Sequence, residues 1–298
     1  MARRSRGGFA ALLIALIVAA CAGGDTVGST TPSNPSATLT PTTATTPSTL
    51  RPSTTTSTKP VAGAESFEID AEVSIPDGEG PFPAVVLVHG GGWVAGSPSV
   101  MRPLAEHLNE SGYLTVNTRY RLSTLELPGF PEAVDDVACA VRYAASHPDS
   151  DGTVALIGHS AGAHIGALVA LTGDDYVGAC PLPGSGVPER FVGLAGPYDI
   201  SRLGLAMLVF FGESETVNPG VWAVGNPQDL TDENTELDSL IMYGELDGLV
   251  ADQFAFDFYA ALESSGSSAL LELVEGARHN DMHDPALVGD LIVAWLDR

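Results

Sequence analysis

Lysine is almost absent from this 298-residue chain; the only one is Lys59. From Glu65 onward eight arginines face 36 acidic residues, a formal charge of −28. Such a surface repels phosphate backbones, which excludes nucleic acid as a partner. Long apolar runs are also missing. The longest, Phe9 to Ala20, has twelve residues, against about 20 for a membrane-spanning helix. Neither Gly-x-Gly-x-x-Gly nor a P-loop occurs, so no nucleotide cofactor is implied. No His/Cys/Asp cluster has metal-ligand spacing, and no metal is expected. Cysteine is scarce too, with three residues at positions 21, 139 and 180.

What is present begins with an export pattern. Met1 to Arg6 is basic, Phe9 to Ala20 is apolar, and Val18-Ala-Ala-Cys21 follows. This order of basic, apolar and small-residue segments matches a signal peptide, and its end resembles a bacterial lipobox with Cys21 as the lipid-modified residue. Residues 1–21 are therefore expected to be a signal peptide with lipobox, giving an exported protein anchored to the membrane at the cell surface; the alternative is an ordinary cleaved signal peptide with Cys21 incidental and a secreted protein. From Thr26 to Pro60, threonine, serine and proline make up 26 of 35 residues. A segment of that composition cannot bury a core, so residues 22–62 are expected to be a disordered tether. In the oxidising compartment that export implies, Cys139 and Cys180 either form a disulfide or remain two buried thiols.

Residues 63–298 have the length of one domain with a substantial core. Strands are expected at Phe67–Ile75, Ala84–Val88, Tyr113–Thr118, Val154–Ile157, Phe191–Ala195, Leu240–Tyr243 and Leu270–Val274. Helices are expected at Pro103–Asn109, Pro131–His147, Ala163–Leu171, Ala251–Leu262 and Pro285–Trp295. The strand Ala84-Val-Val-Leu-Val88 is apolar throughout, as a strand covered on both faces should be. Strands alternating with helices predict an α/β fold with a mostly parallel sheet, and ligands beyond the carboxyl ends of its strands.

The chemically informative motifs fall at those ends. Gly158-His-Ser160-Ala-Gly162 fits Gly-x-Ser-x-Gly between a strand and a helix, the context of a nucleophile elbow. A serine hydroxyl needs a base to take its proton as it attacks, and the base needs a carboxylate to orient it. His279 ends the run Leu271 to His279 in a glycine-containing loop; His283, four residues later, is read as a surface or capping residue. Asp247 follows the strand Leu240–Tyr243 and leads Glu245 and Asp252 as the orienting acid; Asp199 is given a structural role. His89-Gly-Gly-Gly92 follows a buried strand, and its glycines let amides approach a developing oxyanion. The donors are assigned as Gly91, Gly92 and Ala161, with His89 bracing their loop and His164 packed inside. Residues 199–238 read as a small cap. Within it Leu203 to Phe211 could line an acyl pocket or pack on the core, and Trp93 and Trp222 are candidate pocket walls.

His-Gly-Gly-Gly-Trp93, Gly-His-Ser-Ala-Gly162, Asp247 and His279 together make the chain resemble the α/β-hydrolase superfamily of serine esterases. Within it the small carboxylesterases are nearest, the hormone-sensitive-lipase-like and feruloyl or acetyl esterase branch, with kynurenine formamidase as a relative. The resemblance covers about 67–298. It implies an α/β-hydrolase fold with a small cap, a Ser160–His279–Asp247 triad, no cofactor, and a small-molecule ester as substrate. Gly-His-Ser-Ala-Gly resembles the formamidase and feruloyl-esterase side, since the lipase relatives often have Asp where His159 stands. An arylformamidase or amidase of the same fold is the alternative, and a silent hydrolase-like binding module the third reading.

Overall fold

The computed structural model describes residues 69–298. Cys21, the expected signal peptide and tether, and the first residues of the expected strand Phe67–Ile75 lie outside the described residues. That strand begins at Ala71: β1 (Ala71–Ser74) is a short edge strand.

The elements then alternate as the apolar pattern requires. After β2 (Phe82–Val88) come α1 (Arg102–Glu110), β3 (Leu114–Thr118), α2 (Glu132–Ser146), β4 (Ser150–His159), α3 (Ala161–Thr172) and β5 (Arg190–Leu194). Two short helices, α4 (Leu208–Phe211) and α5 (Pro219–Val224), occupy the excursion before β6 (Asp238–Gly244). The chain ends with α6 (Gln253–Ser265), β7 (Ser268–Val274) and α7 (Pro285–Leu296). Among the described residues seven strands form one sheet in the order β1-β3-β2-β4-β5-β6-β7. Only β1 pairs antiparallel; the other pairs are parallel.

Alternate residues of β2 serve opposite faces. Val86 and Val88 belong to the core that also holds residues of α2, α3 and α6, while Val85 and Leu87 belong to the core shared with α1 and α7. A strand buried on both faces leaves no position for a polar side chain, hence the unbroken apolar run. Each such Val or Leu contributes roughly 1.5–3 kcal/mol by leaving water. Helix α3 runs through the middle of the molecule, and every residue from Ala161 to Leu171 is buried. A helix without a polar face belongs in a core, and its small residues permit close packing on β4 and β5.

The structure lengthens β4 beyond the expected Val154–Ile157. Ser150 to Thr153 are polar and at the surface, and the strand irregularity between Phe82 and Ala84 takes up their register. Their composition reads as a loop, and only pairing with β2 makes them strand. At the other end Gly158 pairs with Val88 and His159 with Leu194, so the strand runs up to the residue before Ser160. Cys139 in α2 is disulfide-bonded to Cys180, tying that helix to the loop after α3.

Candidate active site

Ser160 sits between β4 and α3 with φ 54° and ψ −121°. A non-glycine residue there is strained by about 1–3 kcal/mol, and the surroundings must hold it. Its amide donates to the Leu194 carbonyl at 2.8 Å. The flanking glycines are required by space: a Cβ on Gly158 would lie 2.3 Å from the Gly162 carbonyl oxygen. One on Gly162 would lie 2.3 Å from the Val88 carbonyl oxygen. The turn can be this tight only because both side chains are missing.

Two loops from the far half of the sheet meet at Ser160. The Ser160 Oγ hydroxyl donates to His279 Nε2 at 2.9 Å, and His279 Nδ1–H donates to Asp247 Oδ2 at 2.8 Å. The other oxygen of Asp247, Oδ1, accepts from the amides of Leu249 and Val250 at 2.8 and 2.9 Å. Burial raises the Asp247 pKa, but the His279 hydrogen bond and charge and these two amides outweigh it, leaving the carboxyl below its ordinary value. An ionised Asp247 fixes the His279 tautomer with its proton on Nδ1, which leaves Nε2 bare toward the serine. Ser160 and His279 are 7% and 6% exposed, so the chain of three is largely shielded from water.

The two loops are also stitched to each other. Glu245 and Leu246 donate their amides to the carbonyls of Val274 and Ala277, and the Glu245 carboxylate accepts from the Gly276 amide. Glu245 is thus a loop tie, while Asp252 stands at the start of α6. Gly244 permits the approach, because a Cβ there would lie 2.5 Å from the Ala277 oxygen.

A cavity of about 430 Å³ opens on Ser160. The glycine loop lines it with Gly90, Gly91, Ala95 and Gly96, together with His159, His279, Asn280 and His283. Gly91, at φ 131°, accepts at its carbonyl from the Ala95 amide, folding the loop back on itself. Ala161 opens α3, where an amide has no partner in the helical ladder and faces outward from the helix start. His89 donates from Nδ1 to the Gly90 carbonyl at 2.8 Å and stacks on Tyr120, bracing the loop from behind.

The sheet order, the strained serine at the end of β4, and the acid and base on successive strand ends define one architecture. Solved structures share it: a truncated carbohydrate esterase from gut microbiota superposes with a TM-score of 0.65 at 19% identity, covering 76% of this chain and 89% of that one. The chain has the α/β-hydrolase fold. The propionate-bound thermophilic esterase of Thermogutta terrifontis aligns with this chain at a TM-score of 0.59 and 20% identity, over 76% of this chain and 86% of that one. The BD-FAE family profile matches residues 72–203. Esterase LipC of Mycobacterium tuberculosis is 28% identical over 228 residues, 70% of this chain and 56% of its own length. Carboxylesterase NlhH of the same organism is 36% identical over 106 residues, 34% of this chain and 32% of its own. The chain therefore spans about half of LipC and less of NlhH.

Three expectations, for Trp93, Trp222 and His283, are corrected, and one open alternative, for Leu203 to Phe211, is narrowed. Trp93 is not a wall of the Ser160 cavity: its indole N–H donates to His164 Nδ1 at 3.2 Å and its ring packs on Phe210. Trp222 is buried against Phe211, with its N–H donating to the Glu213 carbonyl. Both tryptophans satisfy their one donor inside the core, which leaves nothing for a ligand. Leu203 to Phe211 contributes no lining residue to the Ser160 cavity, and Phe210 is fully buried. His283 is neither surface nor cap. It lines the cavity, and its ring centroid lies 4.9 Å from that of His159. The helical turn His279–His283 carries both histidines to the cavity. Asn280 is a lining residue that no sequence pattern marked.

Proposed function

We propose that this chain is a carboxylic ester hydrolase working through an acyl-enzyme on Ser160. The observation that carries the reading is the unbroken chain from Ser160 Oγ through His279 to Asp247. As Ser160 attacks an ester carbonyl, His279 Nε2 takes its proton, and Asp247 stabilises the resulting imidazolium. The amides of Gly91, Gly92 and Ala161 receive the oxyanion, each such donor being worth roughly 3 kcal/mol of barrier. His279 returns the proton to the departing alcohol. Water activated by the same imidazole then frees the acid. The cavity of about 430 Å³, lined in part by glycine and alanine, supports small or short acyl groups. The esterase relatives support the reaction class.

The test uses purified residues 63–298 with p-nitrophenyl esters from acetate to palmitate and with N-formyl aromatic amines, wild type against Ser160→Ala. Serine-dependent turnover that is greatest at short acyl chains is expected. Preference for the formyl amide would replace the esterase reading with an arylformamidase, and no serine-dependent turnover would leave a binding module.

The N-terminal pattern supports export with lipidation at Cys21 and a serine/threonine/proline spacer before the catalytic domain. Cys21→Ser should move the full chain from the membrane fraction to the soluble fraction. Unchanged partitioning would remove the anchor from this reading.

A further inference from the structure

The catalytic histidine has no regular element under it. His279 sits in a short turn of five residues between β7 and α7. Its ring is held by Asp247, but its backbone needs a separate support if Nε2 is to stay at 2.9 Å from Ser160 Oγ. The loop before it is tied by Glu245 and Leu246 and the Arg278 amide by the Asp281 carboxylate, while the His279 carbonyl itself is held by the residue just before the nucleophile. His159 Nε2 lies 3.0 Å from the His279 carbonyl oxygen, across 120 residues of sequence. A carbonyl only accepts, so the imidazole carries its proton on Nε2 and is the donor.

The same ring touches the other parts of the site. Its centroid is 5.0 Å from that of His279 and 4.9 Å from that of His283. Its Nδ1 faces the glycine loop, where a Cβ on Gly90 would come within 2.8 Å of it. His159 is the last residue of β4, paired with Leu194, so its backbone is fixed by the sheet. One buried imidazole therefore spans the nucleophile elbow, the glycine loop and the base turn.

We propose that His159 is a positioning residue that sets the reach of His279 to Ser160 by holding the His279 carbonyl and filling the space between Gly90 and His283. This rests on the serine-hydrolase reading. The donated hydrogen bond requires the neutral ring, and the surroundings keep it neutral. Burial, with His279, His283 and His89 as its titratable neighbours, holds the His159 pKa well below its ordinary value. Nδ1 has no protein partner among the described residues, so a second proton there would gain nothing.

The experiment compares His159→Gln, which keeps an amide N–H at similar reach, with His159→Phe, which keeps ring volume and loses the donor. A misplacement of a catalytic group by about 1 Å costs on the order of 100-fold. His159→Phe is therefore expected to lower kcat by roughly 10- to 100-fold with KM within about twofold, and to shift the acid limb of the kcat profile. His159→Gln should recover most of the loss. Equal loss in both variants in step with a fall in Tm would make His159 a packing residue and overturn the proposal, as would wild-type kcat in His159→Phe. A readout free of substrate is the low-field Nδ1 proton of His279 in ring-labelled protein. It should be sharp in the wild type and His159→Gln and broadened in His159→Phe; an unchanged signal also overturns the proposal. If Ser160→Ala shows that turnover does not depend on the serine, the esterase reading fails by itself and the ring proton still decides the role of His159.

Discussion

Asp247 uses both of its oxygens, one on His279 and one on the amides of Leu249 and Val250. Asp247→Asn keeps the shape but presents an amide where a carboxylate oxygen accepted, and can invert the His279 tautomer. Its kcat is expected to fall by about 10³–10⁴-fold, read by steady-state kinetics with circular dichroism unchanged; a loss under tenfold would remove Asp247 from the relay. At the elbow, Gly158→Ala forces a Cβ to 2.3 Å from the Gly162 oxygen. Thermal unfolding should show a loss of about 1–3 kcal/mol, and turnover should drop as Ser160 shifts. A Tm equal to wild type would mean that the turn has slack the geometry denies. These residues were legible in the sequence because each chemistry needs one residue type at a strand end. His283 and Asn280 were not, because nothing in a sequence says which way a short turn points its side chains.

At the scale of elements, β2 and α3 announce themselves by apolar runs. The disulfide does not: which of two buried thiols or one bond holds depended on bringing α2 beside the loop after α3. That bond closes a loop with a sequence separation of 41 residues. Chain entropy assigns it about 4 kcal/mol at most. Cys139→Ser with Cys180→Ser should lower Tm accordingly while kcat at 25 °C holds, since neither residue lines the Ser160 cavity. A large loss of kcat with an intact fold would show that this loop reaches the site.

The whole molecule carries its own acid sensitivity. Burial lowers the pKa values of His89, His159, His164 and His283, that of His164 to about 4. His164 accepts from the Trp93 indole and donates to the Gly225 carbonyl, a pattern only the neutral ring can make. A folded value below the unfolded one of about 6.5 means that the unfolded chain takes up the proton first. Stability from this source is full above pH about 6.5 and declines as pH falls toward 4. His164 alone accounts for about 3 kcal/mol over that window. Relief of repulsion among the 36 acids works in the opposite direction as they are neutralised. Urea unfolding at pH 8 and pH 5 in about 1 M salt, where long-range repulsion is screened, should therefore give a lower midpoint at pH 5. Equal midpoints would mean that the buried histidines do not limit acid stability.

The chain order of glycine loop, elbow serine, acid and base, each after an apolar run, was determined by the sequence alone, because strand periodicity and the stereochemistry of tight turns are local. The tertiary structure decided everything that depends on which segments meet. It placed the tryptophans and Met207, Val209, Phe210 and Phe211 in the core instead of the pocket, since an apolar side chain reads the same in either setting. It brought the His279 carbonyl to His159 and the Glu245 carboxylate to the Gly276 amide. Such contacts join residues tens to hundreds of positions apart, and no local pattern encodes the distance between them.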